Sequence, residues 1–113
     1  MPLALYAGIA VSNFATARDW YSRLFGGPPM FVATPTKAVW DLAEHRSVFI
    51  DERPEHAGHA NHSIFVDDLD GLVAAIAERG INAEKQETYG NGVRRAAYRD
   101  PDGNEIGFGS IPL

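Results

Sequence analysis

The chain has 113 residues, 45% of them hydrophobic, which is enough for one buried core and one domain. It contains no cysteine, which excludes disulfides and thiolate metal sites and fits a reducing, cytoplasmic compartment. The formal net charge of −5 disfavours nucleic acid as a partner. No Lys or Arg precedes Arg18 and no apolar run is long enough to span a bilayer, so we expect neither a signal peptide nor a membrane partner.

The first half of the chain predicts a strand, a helix and three further strands. An apolar strand ends at Val11, and Asn13 is placed to cap a helix that Gly26 and Gly27 end. The apolar face of this helix, at spacings of three and four, is formed by Ala17, Trp20, Tyr21 and Leu24. Three short β segments follow, over residues 29–34, 37–42 and 46–50.

A polar segment over residues 51–60 separates the two halves. It contains His56 and His59, which share a three-residue spacing with His62. A flexible segment does not fix a tetrahedral geometry, and no cysteine or suitably spaced carboxylate completes a zinc site. We therefore interpret these residues as loop histidines rather than as a metal site.

The second half repeats the first at an offset of 55 residues, from 64 minus 9. Asp68 takes the capping place of Asn13, and Gly80 ends the second helix. The apolar face of this helix comprises Leu69, Leu72, Val73 and Ile76. The β segments that follow cover residues 83–87, 93–99 and 104–109. Neither half covers both faces of its own sheet, so the halves must pack together or against another chain.

The last two β segments are joined by Asp100-Pro101-Asp102-Gly103-Asn104, a sequence typical of a tight turn. This turn, the Phe108-Gly109 pair after it and the duplicated pattern resemble the vicinal oxygen chelate superfamily of glyoxalase I, extradiol dioxygenases and bleomycin-resistance proteins. The resemblance covers nearly the whole chain. It implies an α+β fold in which two βαβββ modules, residues 1–57 and 58–113, form a curved mixed sheet around a cleft.

The resemblance also implies four places for metal ligands in the catalytic members. Three of these places hold Tyr6, Asn61 and Gly107 here, and none of the three is a common ligand of a catalytic metal. The fourth lies near the end of the first module, where the strand register leaves Phe49 and Asp51 as alternatives. We therefore predict that the protein has no cofactor.

One alternative keeps a divalent cation, bound by His62 and Glu105. Because side chains alternate across a strand, His62 would need a β-bulge to turn toward the cleft. Without a bulge, we expect His62 to pack under the helix or to cap the end of a strand.

Aromatic, cationic and small residues remain at the predicted cleft, where Gly8, Gly107 and Gly109 would leave room for a ligand. The predicted ligand-binding residues are Tyr6, Trp40, Asn61, Ser63, Phe65, Arg94, Tyr98, Glu105 and Gly107. We place most weight on Trp40, Tyr6 and Arg94. The alternative for Trp40, Phe65 and Tyr98 is that each is simply a core residue. The run Gly92-Val93-Arg94 resembles an element of the bleomycin-resistance proteins, which are dimers that sequester a drug without metal catalysis.

The sequence therefore predicts a cytoplasmic, metal-free homodimer that binds an aromatic or amphipathic small molecule by stacking and hydrogen bonds. The first alternative is an enzyme, either a metal-dependent lyase, isomerase or dioxygenase with displaced ligands, or an acid–base catalyst that uses Glu105 or Tyr6. The second alternative is a structural or regulatory dimer without a ligand. The cleft is expected to form either within one chain or across a dimer.

Overall fold

Two similar modules make up the protein, whose computed structural model describes residues 1–110. The elements of module one are β1 (Leu5–Val11), α1 (Phe14–Phe25), β2 (Phe31–Thr34), β3 (Lys37–Ala43) and β4 (Arg46–Glu52). A short 3-10 helix, Pro54–His56, follows them. The elements of module two are β5 (Asn61–Val66), α2 (Leu69–Glu78), β6 (Lys85–Thr88), β7 (Arg94–Arg99) and β8 (Glu105–Ser110). The predicted second module extends to residue 113, and its last three residues lie outside the described residues.

Each module forms one mixed four-stranded sheet. The strand orders are β1-β4-β3-β2 and β5-β8-β7-β6. In each sheet the first and last strands of the module are parallel neighbours, and the remaining pairs are antiparallel. The predicted α+β fold of two βαβββ modules is thus confirmed.

Both predicted helix caps are present. The Oδ1 atom of Asn13 accepts a hydrogen bond of 3.0 Å from the backbone N–H of Thr16, and the Oδ1 atom of Asp68 accepts one of 3.0 Å from Gly71. At the other end of α1, Gly26 has a φ of 85°, a left-handed conformation that glycine adopts without strain. The repeat in the sequence is therefore also a repeat of local structure.

One hydrophobic core joins the two modules on the helix-facing sides of both sheets. Its largest fully buried apolar and aromatic members are Tyr21, Tyr98, Ile9, Leu24, Ile50, Ile76, Ile106 and Val11. Among the described residues, no helix is long and apolar enough to cross a membrane. Since the core uses the helix-facing sides, the opposite sides of both sheets stay open.

A buried polar contact fixes the last turn against module one. The hydroxyl of Tyr21 on α1 donates to the Oδ2 atom of Asp100 at 2.7 Å. The side-chain amide of Asn104 donates to Asp100 at 2.8 Å and to the carbonyl of Ala10 on β1 at 2.9 Å. Burial raises the pKa of Tyr21, and the Asp100 carboxylate raises it further. The turn that carries the family resemblance therefore holds the two modules together.

Candidate functional site

The open face of module two is the side of its sheet that points away from the helices. It carries Asn61, Ser63, Arg95, Arg99, Glu105 and Gly107. Strand pairing places Asn61 opposite Glu105 and Ser63 opposite Gly107, so four of the predicted ligand-binding residues lie together. With residues of β6 and the following loop, this face encloses a concavity of about 520 Å³.

Arg95 occupies the centre of this face. Its Nε–H donates to Ser63 Oγ at 3.1 Å and an Nη1–H donates to Glu105 Oε2 at 2.8 Å. The Nη2 group donates to Asn61 Oδ1 and to the carbonyl of His62, each at 3.3 Å. The side chain is 12% exposed. The guanidinium is therefore fixed in place before any ligand binds.

Gly107 makes room for this guanidinium. A Cβ atom at Gly107 would lie 2.1 Å from Cζ, 2.2 Å from Nη2 and 2.3 Å from Nε of Arg95. These three distances are nearly equal, so the Cβ direction points at the face of the planar group and not at its edge. Arg95 thus lies flat against the backbone of Gly107, an arrangement that needs a residue without a side chain.

Glu105 holds two arginines. Its Oε2 atom accepts from Arg95, and its Oε1 atom accepts from Nη2 of Arg99 at 3.1 Å. The Glu105 side chain is 20% exposed. Because both carboxylate oxygens already accept charge-assisted hydrogen bonds, Glu105 is poorly placed to act as a general base or as a metal ligand.

Aromatic side chains lie beside this charged floor. Phe65 is on the same face, packs against Gly109 and is 49% exposed. Tyr89 lines the concavity and is 43% exposed. The face therefore combines a polar, charged floor with apolar surface at its margin.

The four places implied for metal ligands do not fit a metal ion. In module one, Gly8 pairs with Phe49 as Ser63 pairs with Gly107 in module two, so Phe49 takes the fourth place. The set is thus Tyr6, Phe49, Asn61 and Gly107, which offers no carboxylate or imidazole. In the described part of the chain, no three His, Asp or Glu side chains are grouped closely enough to hold an ion.

His62 and Glu105 do not converge on one site, which disfavours the alternative of a divalent cation bound by both. His62 pairs with Ile106, whose side chain is in the core, whereas Glu105 lies on the open face. The Nε2 atom of His62 is buried and has no hydrogen-bond partner among the described residues. No bulge interrupts the pairing of β5, so strand alternation keeps the two side chains on opposite sides of the sheet.

Two further predicted cleft residues, Tyr98 and Trp40, belong to the other side of the sheets. Tyr98 is 1% exposed and packs edge-on against Phe108. Trp40 is 3% exposed and donates its indole N–H to the carbonyl of Gly27 at 3.1 Å. It borders a smaller concavity of about 250 Å³ at the end of α1. The prediction that Tyr98 and Trp40 line the cleft is wrong, because both pack in the core.

Arg94 also lies outside the open face. It donates two hydrogen bonds to Asp70 at the start of α2, at 2.8 and 3.3 Å. This hydrogen bonding lowers the pKa of Asp70. The prediction that Arg94 lines the cleft is therefore wrong, and its neighbour Arg95 takes that place.

Sequence reasoning did not select Arg95, although the signal for it was available. Tyr98 is apolar enough to belong to the core, and that assignment fixes the alternation along β7. Arg95 and Arg99 then fall on the opposite side, with Gly107. Tyr6, by contrast, does lie on the open side of module one, where it is 53% exposed.

Each of the two concavities is lined by one module only. Residues of module two line the larger, and residues of module one line the smaller. Neither concavity joins the open faces of the two modules.

Comparison with known proteins agrees with this fold. The family model described as the glyoxalase/bleomycin resistance protein/dioxygenase superfamily matches residues 4–108. No curated protein sequence matches the chain. A solved structure of a glyoxalase/bleomycin resistance protein from Catenulispora acidiphila DSM 44928 is 52% identical, with a TM-score of 0.95 over 98% of this chain and 100% of that one.

Two more distant structures show the fold alone. A bleomycin-binding protein complexed with bleomycin is 18% identical, with a TM-score of 0.78 over 99% of this chain and 100% of that one. Lactoylglutathione lyase from Agrobacterium tumefaciens is 17% identical, with a TM-score of 0.78 over 97% of this chain and 95% of that one. The same fold thus occurs in a protein named for binding and in one named for catalysis.

Proposed function

Because the chain belongs to the glyoxalase/bleomycin resistance protein/dioxygenase superfamily, we propose that it is a metal-free protein that binds an aromatic or amphipathic small molecule on the open face of module two. The observation that carries this proposal is the Arg95 guanidinium lying over Gly107. Gly107 is the place of a metal ligand in catalytic members. A fixed cation at that place repels a divalent ion. The nearby carboxylate of Glu105 already accepts hydrogen bonds from Arg95 and Arg99, so it is not free to bind a metal.

The chemistry of the open face supports an amphipathic ligand. Its floor is a hydrogen-bonded network of Arg95, Glu105, Asn61 and Ser63, and its margin carries Phe65 and Tyr89. A volume of about 520 Å³ is in the range of small-molecule sites. A ligand with one flat apolar part and a few polar groups matches both surfaces.

The proposal includes a homodimer. Tyr6 and Phe31 on the open side of module one, and Phe65 on that of module two, are 53%, 47% and 49% exposed. A second copy that covered these three side chains would remove their apolar surface from water, which favours association. Within one chain, neither of the two concavities joins the open faces of the two modules. A second copy placed over these open sides would close a cleft there. We also propose a cytoplasmic location, to which the absence of cysteine is suited.

Thermal unfolding with a panel of amphipathic aromatic compounds tests this function. A ligand that binds only the folded state at a hundredfold excess over its dissociation constant stabilises the protein by about 2.7 kcal/mol. We expect Arg95→Ala to abolish the stabilisation and Arg94→Ala to preserve it. The two arginines are adjacent in sequence but lie on opposite sides of the sheet, which makes Arg94→Ala a matched control.

Metal analysis of untagged protein, purified without chelators and then exposed to zinc, nickel, manganese and iron, provides the second arm. We expect no stoichiometric ion, because the residues at the four implied places do not fit a metal. A stoichiometric ion that raises the melting temperature would instead favour the metal-dependent enzyme. The absence of stabilisation by any compound would favour the dimer without a ligand.

A further inference from the structure

We propose that the exposed face of the Arg95 guanidinium is a stacking platform, and that the ligand presents a planar aromatic ring system to it. This inference rests on the proposed function and specifies the class of ligand for the same face. It depends on which parts of the guanidinium are already in contact with protein and which part remains open.

The edge of the guanidinium is largely occupied. An arginine side chain has five N–H donors, all directed within the plane of the group. Arg95 donates four hydrogen bonds, to Ser63, Glu105, Asn61 and the carbonyl of His62. A carboxylate or phosphate of a ligand would need two of these in-plane donors for bidentate binding. The site is therefore a poor receptor for an anion.

One face of the guanidinium is also covered. Gly107 lies directly beneath it, because a Cβ atom there would fall within 2.3 Å of Cζ, Nη2 and Nε at once. Hydrogen bonds occupy most of the edge and Gly107 covers one face, so we assign the exposed surface of this side chain, 12% of the whole, chiefly to the second face. Arg95 lines the concavity, and this face therefore forms part of its floor.

A planar cation with satisfied donors favours stacking over hydrogen bonding. A guanidinium binds the face of an aromatic ring by cation–π attraction and by contact of two flat surfaces. Because this network already orders the Arg95 side chain, stacking of a ligand costs less conformational entropy. Tyr89, 43% exposed at the wall of the same concavity, offers a second aromatic surface to such a ligand.

Two probe compounds test the stacking platform. The first, 2-naphthalenemethanol, is planar. The second, decahydro-2-naphthalenemethanol, has the same carbon skeleton and hydroxyl group but no π face. We expect the planar probe to bind about tenfold more tightly, as cation–π attraction at a partly desolvated site provides. We also expect it to shift the Arg95 Nε–H proton resonance upfield by its ring current, with no such shift from the saturated probe.

Two variants examine the role of the planar cation. Arg95→Lys keeps the positive charge but removes the flat group, so we expect the roughly tenfold preference for the planar probe to disappear. Gly107→Ala places a methyl group where the guanidinium now lies, and we expect the same loss. Urea unfolding of each variant establishes that it is folded, and the comparison of the two probes on the unaltered protein requires no variant.

The outcomes separate this inference from the proposed function. Equal affinities for the two probes, no binding of the planar probe up to its solubility, or a preference that survives Arg95→Lys would each overturn the stacking platform. The proposed function would still stand if other compounds of the thermal-unfolding panel stabilised the protein through Arg95. It would fail only if no compound of that panel did so.

Discussion

At the scale of single residues, the ion pair of Arg95 and Glu105 shows why a binding face can also contribute to stability. Their side chains are only 12% and 20% exposed, and Glu105 accepts hydrogen bonds from two arginines. Removing one partner of a largely buried pair leaves the other charge without compensation, which costs more than the pair itself contributes. The open face is therefore fixed by the same interactions that define its chemistry.

We expect Glu105→Gln to lower the free energy of unfolding by about 2 kcal/mol, because Arg95 loses its charged acceptor in a poorly hydrated place. Urea unfolding at neutral pH measures the change. Glu84→Gln is the matched control, since Glu84 also accepts a hydrogen bond from Arg99, at 3.0 Å, but is 56% exposed. The control should change stability by less than about 0.5 kcal/mol. Equal effects of the two substitutions would contradict the prediction.

The two buried tyrosine hydroxyls give opposite expectations. The Tyr21 hydroxyl donates to the Asp100 carboxylate, whereas the Tyr98 hydroxyl has no hydrogen-bond partner in the described part of the chain. We expect Tyr21→Phe to destabilise the protein by about 2 kcal/mol and Tyr98→Phe to be neutral or stabilising. Denaturant unfolding of both variants measures the difference, and a larger loss at Tyr98 would contradict the assignment.

The buried hydroxyl of Tyr21 also sets a pH dependence. Burial, and then Asp100, raises the pKa of Tyr21 above its unfolded value of about 10. Above that pH the unfolded chain releases the proton while the folded chain keeps it, so stability falls as pH rises. The loss due to Tyr21 should approach about 1.4 kcal/mol per pH unit. Tyr21→Phe should lose stability less steeply between about pH 10 and 11 than the unaltered protein. Identical slopes would contradict the raised pKa.

At the scale of elements, local sequence patterns predicted the helices and strands well, since their causes are local. Both N-caps and the glycine after α1 lie where the sequence placed them. What the sequence did not predict was the side of the sheet on which β7 residues fall. Arg94 and Arg95 are chemically alike, so the side of each follows from Tyr98, which is on the same strand and packs in the core against Phe108. Likewise, the choice of Phe49 over Asp51 needed the pairing of β1 with β4.

The helix caps allow a direct test of this repeated local structure. We expect Asn13→Ala and Asp68→Ala each to lower the free energy of unfolding by about 1 kcal/mol, because each removes the acceptor of an otherwise free helical N–H. Asn13→Ser, which keeps an oxygen acceptor at the same place, should recover most of the loss. Urea unfolding followed by circular dichroism measures all three. If Asn13→Ser were as unstable as Asn13→Ala, capping would not be the cause.

At the scale of the whole molecule, the helix-facing sides of both sheets form one core, and the opposite sides carry exposed aromatic residues. Tyr6 and Phe31 lie on the open side of module one, and Phe65 lies on that of module two. The proposed homodimer would cover these residues and close the cleft. Assembly and ligand binding should therefore fail together when the open side of module one is made charged.

We expect Phe31→Glu to shift the protein from dimer to monomer and to weaken ligand-dependent stabilisation, although Phe31 lies outside the concavity of module two. A buried carboxylate at a dimer interface would lose its hydration without gaining a partner. Sedimentation equilibrium measures the mass, and thermal unfolding with a bound compound measures the stabilisation. Ala74→Glu is the control, since Ala74 is exposed on α2 at the other side of the sheet. A Phe31→Glu monomer that binds as tightly as the unaltered dimer would mean that one chain alone completes the binding face.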